Sequence, residues 1–182
     1  MKKIDVNGGP AQTVTDIGVD SANGGVWSAD GNTILFAVTL GALKRVPAQG
    51  GQAQALTELD PAHHETRHYF PNILPDGDHF TFVITSSEPD RQGLWVSSLS
   101  HPADRKRLLP ELTGGVYSQG HLLFARSGTL LAQPFDPDRL IFSGEATPIV
   151  DHVSYSAILG WSDFSVAADG TLAYIKIGRA HV

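Results

Sequence analysis

Four side chains able to bind metal or move protons stand close together: His63, His64, Glu65 and His68. Imidazoles spaced like His64 and His68 hold zinc when they share one face of a helix. Pro61 and Pro71 flank this stretch and deny it a helix, so the cluster reads as a loop whose imidazoles are satisfied or solvent-facing. Glu58, Asp60 and Glu65 supply carboxylates, but a calcium loop needs closely spaced oxygens around a tight glycine turn, and no glycine lies among them. Asp136 and Asp138 flank Pro137, which is turn chemistry. A serine hydrolase needs a Gly-x-Ser-x-Gly elbow, and none occurs; the Ser86-Ser87 and Ser97-Ser98 pairs have no adjacent base. Kinase chemistry needs a glycine-rich phosphate loop, a His-Arg-Asp loop and an Asp-Phe-Gly metal ligand, and all three are missing from this sequence. The expectation is a chain without catalytic residues, metal or cofactor.

Composition narrows the partners. The net charge is −6, and Arg105-Lys106-Arg107 is the one basic run, expected in a solvated hairpin turn, so no nucleic-acid footprint is present. Cysteine is absent, which removes disulfide and thiolate chemistry. The longest largely apolar stretch, residues 34–43, is too short to span a bilayer, so no membrane insertion is expected of this segment. Lys2-Lys3 is followed by Asp5 and Asn7 rather than by the apolar core of a leader.

The elements that must carry any site are strands. An Asp-Gly turn recurs in Trp27-Ser28-Ala29-Asp30-Gly31, Leu74-Pro75-Asp76-Gly77 and Val166-Ala167-Ala168-Asp169-Gly170, with a degenerate copy in Tyr117-Ser118-Gln119-Gly120. Each is followed by a short β-branched or aromatic run: Ile34–Val38, Phe80–Ile84, Leu122–Ala125 and Leu172–Ile175. A second hairpin then follows, such as Leu43–Val46 with Ala53–Leu56, or Leu94–Ser97 with Arg107–Leu109. In the third unit it is Leu130–Gln133, a turn at Phe135-Asp136-Pro137, and Thr147–Val150. Four short strands recurring every roughly 40–50 residues are the mark of a β-propeller blade. The expected fold is all-β: a partial propeller with three complete four-stranded blades, at about 24–60, 68–110 and 115–152. Half a blade stands at each end, about 1–16 and 161–176. Residues 177–182 fit no strand or turn of the repeat and read as translated sequencing adapter, a non-native tail.

Several phrases together resemble the TolB-type, WD-repeat-like propellers, and in particular the C-terminal extracytoplasmic propeller of bacterial serine/threonine protein kinases of acidobacterial type. They are Gly24–Gly31, Leu43–Gly51, Glu65–Gly77 and Gly128–Asp136. The resemblance covers about residues 3–175. It implies a protein- or ligand-binding module in the sensory region of a larger receptor-like kinase or TolB-like periplasmic protein, continued by the remaining blades of the parent chain. It also implies a periplasmic or otherwise extracytoplasmic place. The alternative is the substrate-gating propeller of a prolyl-oligopeptidase-type serine peptidase. The resemblance implies an open arc of a six- or more-bladed ring; the rival geometry is a four-bladed ring in which the two half blades join.

Propeller topology puts the loops before the innermost strands, and those between second and third strands, around one channel mouth. Loops on a rigid scaffold concentrate binding residues. These loops fall at about 18–25, 61–69, 112–115 and 154–161, and at 39–42 and 85–93. Asn23, Arg67, His68, Tyr69, Arg91 and Trp161 are the candidate ligand-binding residues, the ligand being an unknown protein or small molecule. The resemblance places His68 just before an inner strand, where a hydrogen bond would fix a blade junction. Trp27, Tyr117 and Trp161 are expected to pack between blades, and Trp95 within one.

Overall fold

The computed structural model describes residues 1–18 and 22–177. It is all-β. β1 (Lys2–Lys3) pairs with β2 (Gln12–Thr13). β3 (Ala22–Trp27), β4 (Thr33–Val38), β5 (Lys44–Pro47) and β6 (Gln54–Ala55) form an antiparallel meander. A 3-10 turn, Pro61–His63, leads into a second meander of β7 (Glu65–Ile73), β8 (His79–Ser86), β9 (Gly93–Ser98) and β10 (Lys106–Leu109). A third sheet holds β11 (Val116–Ser118), β12 (His121–Arg126) and the long β13 (Thr129–Asp136). Both β14 (Ile141–Phe142) and β15 (Thr147–Val150) pair with β13, at different ends of it. β16 (Phe164–Val166) and β17 (Leu172–Tyr174) close the described chain. These successive antiparallel sheets are compatible with a β-propeller-like fold; each sheet is open. No helix among the described residues is long and apolar enough to cross a membrane.

The continuous apolar run of β4 explains where the core sits. Alternate residues of a strand point to opposite faces. Ile34, Phe36 and Val38 join a cluster with Val14, Val46 and Ala48 on one side. Leu35 and Ala37 join a second cluster with Phe80, Phe82, Ile84, Leu122 and Phe124 on the other. A sheet buried on both faces needs no polar alternation, which is why β4 reads apolar throughout. One buried polar side chain is satisfied by crossing between sheets: the Thr81 hydroxyl, fully buried, donates to the Gly115 carbonyl at 2.9 Å.

Three of the four recurrent turns share one construction, over residues 28–32, 74–78 and 167–171. In the first, the Asp30 carboxylate accepts from the Ser28 hydroxyl and the Asn32 amide, and Gly31 adopts φ +71°. These hydrogen bonds hold the Asp30 carboxyl down at about 2, and the same kind of contact lowers Asp169. The fourth turn departs from this plan. Gln119 and Gly120 both take positive φ and join Ser118 directly to His121, which is a two-residue type I′ hairpin. The missing aspartate at that copy is a change of turn type.

Four sequence-based expectations are corrected. Residues 65–69 are strand, because β7 starts at Glu65 and bridges in parallel to Gly41, with the His68 amide donating to Gly41 at 2.8 Å. Phe135 and Asp136 lie in β13, and the turn begins only at Pro137. Trp27 is half exposed. The basic run is a set of clips rather than a solvated turn: Arg105 pairs with Glu65, Lys106 Nζ donates to the Leu140 carbonyl, and Arg107 Nη2 donates to the Pro89 carbonyl. Its three cations reach three different neighbours, a pattern with no local signal. Of the expected tail 177–182, Ile177 is described and 178–182 lie outside the described residues.

Candidate functional site

The first strands of four sheets converge on one cleft of about 190 Å3. β3 contributes Gly24 and Gly25, and β7 contributes Phe70, Pro71 and Asn72. The segment entering β11 contributes Gly114, Gly115 and Val116, and the segment entering β16 contributes Gly160, Trp161, Ser162 and Phe164. Neighbouring segments are tied, the Gly114 amide donating to the Gly160 carbonyl at 3.2 Å. A wider opening lined by Trp27, Asn72, Val116 and Tyr117 continues from it past the recurrent turns, where Gln119 Nε2 donates to the Ala168 carbonyl. Asn72 and Val116 line both spaces.

Phe70 is the unusual residue here. It sits in a β-bulge between Tyr69 and Asn72 and adopts φ +52°. An aromatic residue with left-handed backbone in a strand is a strained conformation, worth about 1–3 kcal/mol, that the surroundings must enforce. Its ring lies between two glycines: a Cβ at Gly24 would stand 3.3 Å from Phe70 Cδ1, and one at Gly114 would stand 3.6 Å from Phe70 Cβ. No Asp, Glu, Lys, Arg or His lines the cleft among the described residues. Behind its Gly160 wall stands the Tyr69 hydroxyl, buried and without a hydrogen-bond partner, 3.3 Å from where a Gly160 Cβ would be. Burial raises the Tyr69 pKa, opposed in part by the positive charge and the donors of the nearby Arg67 guanidinium, which also stacks 4.5 Å over the ring.

A second constellation has the outline of an acid–histidine–hydroxyl relay. His68 Nε2 lies 3.1 Å from Glu65 Oε2, and His68 Nδ1 lies 2.8 Å from Thr57 Oγ1. The Glu65 carboxylate can only accept, so Nε2 carries the proton and the Thr57 hydroxyl donates to Nδ1. That hydroxyl also accepts the Leu43 amide at 3.0 Å. His68 is fully buried, and the hydroxyl is committed on both sides, so the set is a clamp between two sheets rather than a nucleophile. Glu65 further accepts Arg105 Nη1 at 3.0 Å and the Asp60 amide at 2.8 Å. Burial pushes the Glu65 carboxyl up, but the hydrogen bonds from His68, Asp60 and Arg105 and the Arg105 charge outweigh it and hold it at about 2. Burial lowers the His68 pKa, against the pull of Glu65.

The loop histidines are engaged as well. His63 Nδ1 and His64 Nδ1 each lie 3.0 Å from one oxygen of Glu88, on the β8–β9 loop. Their hydrogen bonds keep the Glu88 carboxyl below its usual range. Among the described residues no cluster of histidine and acidic side chains has the geometry to hold a metal ion.

Of the six residues selected from sequence, Trp161 lines the cleft. Asn23 lies on β3, with its side chain outside the description. His68 and Tyr69 are buried, the first in the clamp and the second behind Gly160. Arg67 stacks on Tyr69, and Arg91 donates to His63 Nε2 at 2.7 Å. Phe70 and the glycines beside it are not among the six. The available signal was that Gly24-Gly25, Gly114-Gly115 and Gly160-Trp161 each stand in or just before the first strand of their unit, where the β7 unit puts Tyr69-Phe70.

No protein-family model matches the chain, and no curated protein shows significant similarity to it.

Proposed function

We propose that this chain is a non-catalytic binding module of β-propeller-like build that takes an uncharged, ring-bearing group in the cleft between Phe70 and Trp161. The group belongs to a small ligand or to a side chain of a protein partner. The carrying observation is Phe70: strain at φ +52° is spent on placing an aromatic ring in a cleft without charges. The side-chain amide of Asn72 and the hydroxyl of Ser162 add polar groups at its wall. Propeller geometry is supported by the succession of antiparallel meanders whose first strands share this cleft. Membership of a receptor-like serine/threonine kinase or TolB-like periplasmic protein, and the extracytoplasmic place that goes with it, rest on the sequence resemblance.

Phe70→Gly separates binding from folding. It relieves the left-handed strain while removing a partly buried ring, so its stability cost stays below the roughly 3–5 kcal/mol of ordinary Phe truncations. Affinity for a neutral ring probe such as indole should fall by about tenfold or more, the scale of one lost aromatic contact. Urea unfolding and fluorescence titration read the two effects separately. Unchanged indole affinity in Phe70→Gly would place binding elsewhere.

A further inference from the structure

The Nε2 atom of His63 faces two rivals of opposite charge. Its Nδ1–H donates to Glu88 Oε2, which can only accept, so in the neutral ring the lone pair is on Nε2. That lone pair accepts Arg91 Nη2 at 2.7 Å. A guanidinium has donors and no acceptors, so this contact exists only while His63 is uncharged. Asp60 Oδ2 stands 3.9 Å from the same Nε2 and attracts it only once it carries a proton. Imidazole is the side chain whose ordinary titration falls between pH 5 and 8.

We propose that His63 is a proton-operated selector, which holds Arg91 when neutral and, when charged, releases it and turns to Asp60. Mild acidification then frees a guanidinium on the β8–β9 loop for an anionic partner. The other charged groups around the ring fit this role. Glu88 holds Nδ1 in both states and is shared with His64. Arg107 fixes the loop through the Pro89 carbonyl, and Ser86 Oγ donates to the His63 carbonyl, so the loop backbone stays anchored while the Arg91 side chain lets go. Asp60 is also tied to the buried clamp, its amide donating to Glu65.

The test is NMR of the intact chain, following imidazole nitrogens and the Arg91 guanidinium from about pH 7.5 to about pH 5.5. The expected result is a His63 ring with its proton on Nδ1 and a restrained Arg91 at the higher pH. On acidification Nε2 gains a proton and Arg91 becomes mobile in the same step. Asp60→Asn keeps the oxygen that caps the Ala62 amide but removes the anion that rewards the charged ring, and should move Arg91 release to lower pH. His63→Gln should make Arg91 indifferent to pH in this range. An Arg91 that stays restrained beside a protonated His63, or that is released identically in His63→Gln, overturns the proposal; the wild type and Asp60→Asn decide it alone if His63→Gln does not fold.

Discussion

Glu65→Ala is expected to destabilise the chain by on the order of 3–5 kcal/mol, read as a loss in urea-unfolding free energy. Glu65 accepts from His68, Arg105 and the Asp60 amide, with its side chain almost wholly enclosed. Deleting it strands a buried imidazole N–H and a mostly buried guanidinium together, which costs far more than the hydrogen bonds were worth. Replacing Glu65, His68 and Arg105 jointly by apolar residues of similar volume should restore much of the loss, because no partner is then left unsatisfied.

The same clamp makes stability depend on pH in a stated direction. His68 and Glu65 both have folded pKa values below their ordinary ones, 6.5 for the imidazole and 4.5 for the carboxyl. On acidification the unfolded chain therefore takes up protons that the folded chain refuses, and stability is lost as pH falls. The His68 contribution is complete above 6.5 and declines below it; the Glu65 contribution declines from 4.5 down to about 2. Glu65→Ala should lack the lower step, which unfolding curves at stepped pH would show. A wild-type stability that rises between those limits would contradict the clamp.

Gly93→Ala is expected to cost on the order of 3 kcal/mol. At φ +131° an L side chain is strained, and its Cβ would overlap the Leu109 carbonyl oxygen and stand 3.1 Å from the Pro110 carbonyl. Those atoms are backbone at the β9–β10 irregularity, so neither neighbour can swing aside. Gly31→Ala is the control. Its φ is +71° with nothing within 4 Å, so it should cost only the backbone term, about 1–2 kcal/mol. The difference between the two unfolding midpoints isolates the steric part; equal midpoints would mean that the sheet yields at Leu109.

What was legible in the sequence was local. Ile34–Val38 and Phe80–Ile84 announced their strands through composition, and Asp30-Gly31 and Asp76-Gly77 announced their turns, because those preferences are set within a few residues. The site was mostly not legible, because its parts meet across sheets. Glu88 lies far along the chain from the two histidines it holds, and Arg105 sits in a run that looks solvated until its partner Glu65 is placed. Phe70 was hidden for another reason: the bulge that turns it inward has no glycine to mark its positive φ.

The most direct test of the cleft is amide NMR of the intact chain titrated with neutral ring probes, indole among them, beside charged analogues of the same rings. Neutral probes should shift Gly24, Gly25, Phe70, Gly114, Gly115 and Gly160 most, and the charged set far less. Shifts that leave those glycines unmoved, or that favour the charged analogues, would contradict binding of a neutral ring in the cleft.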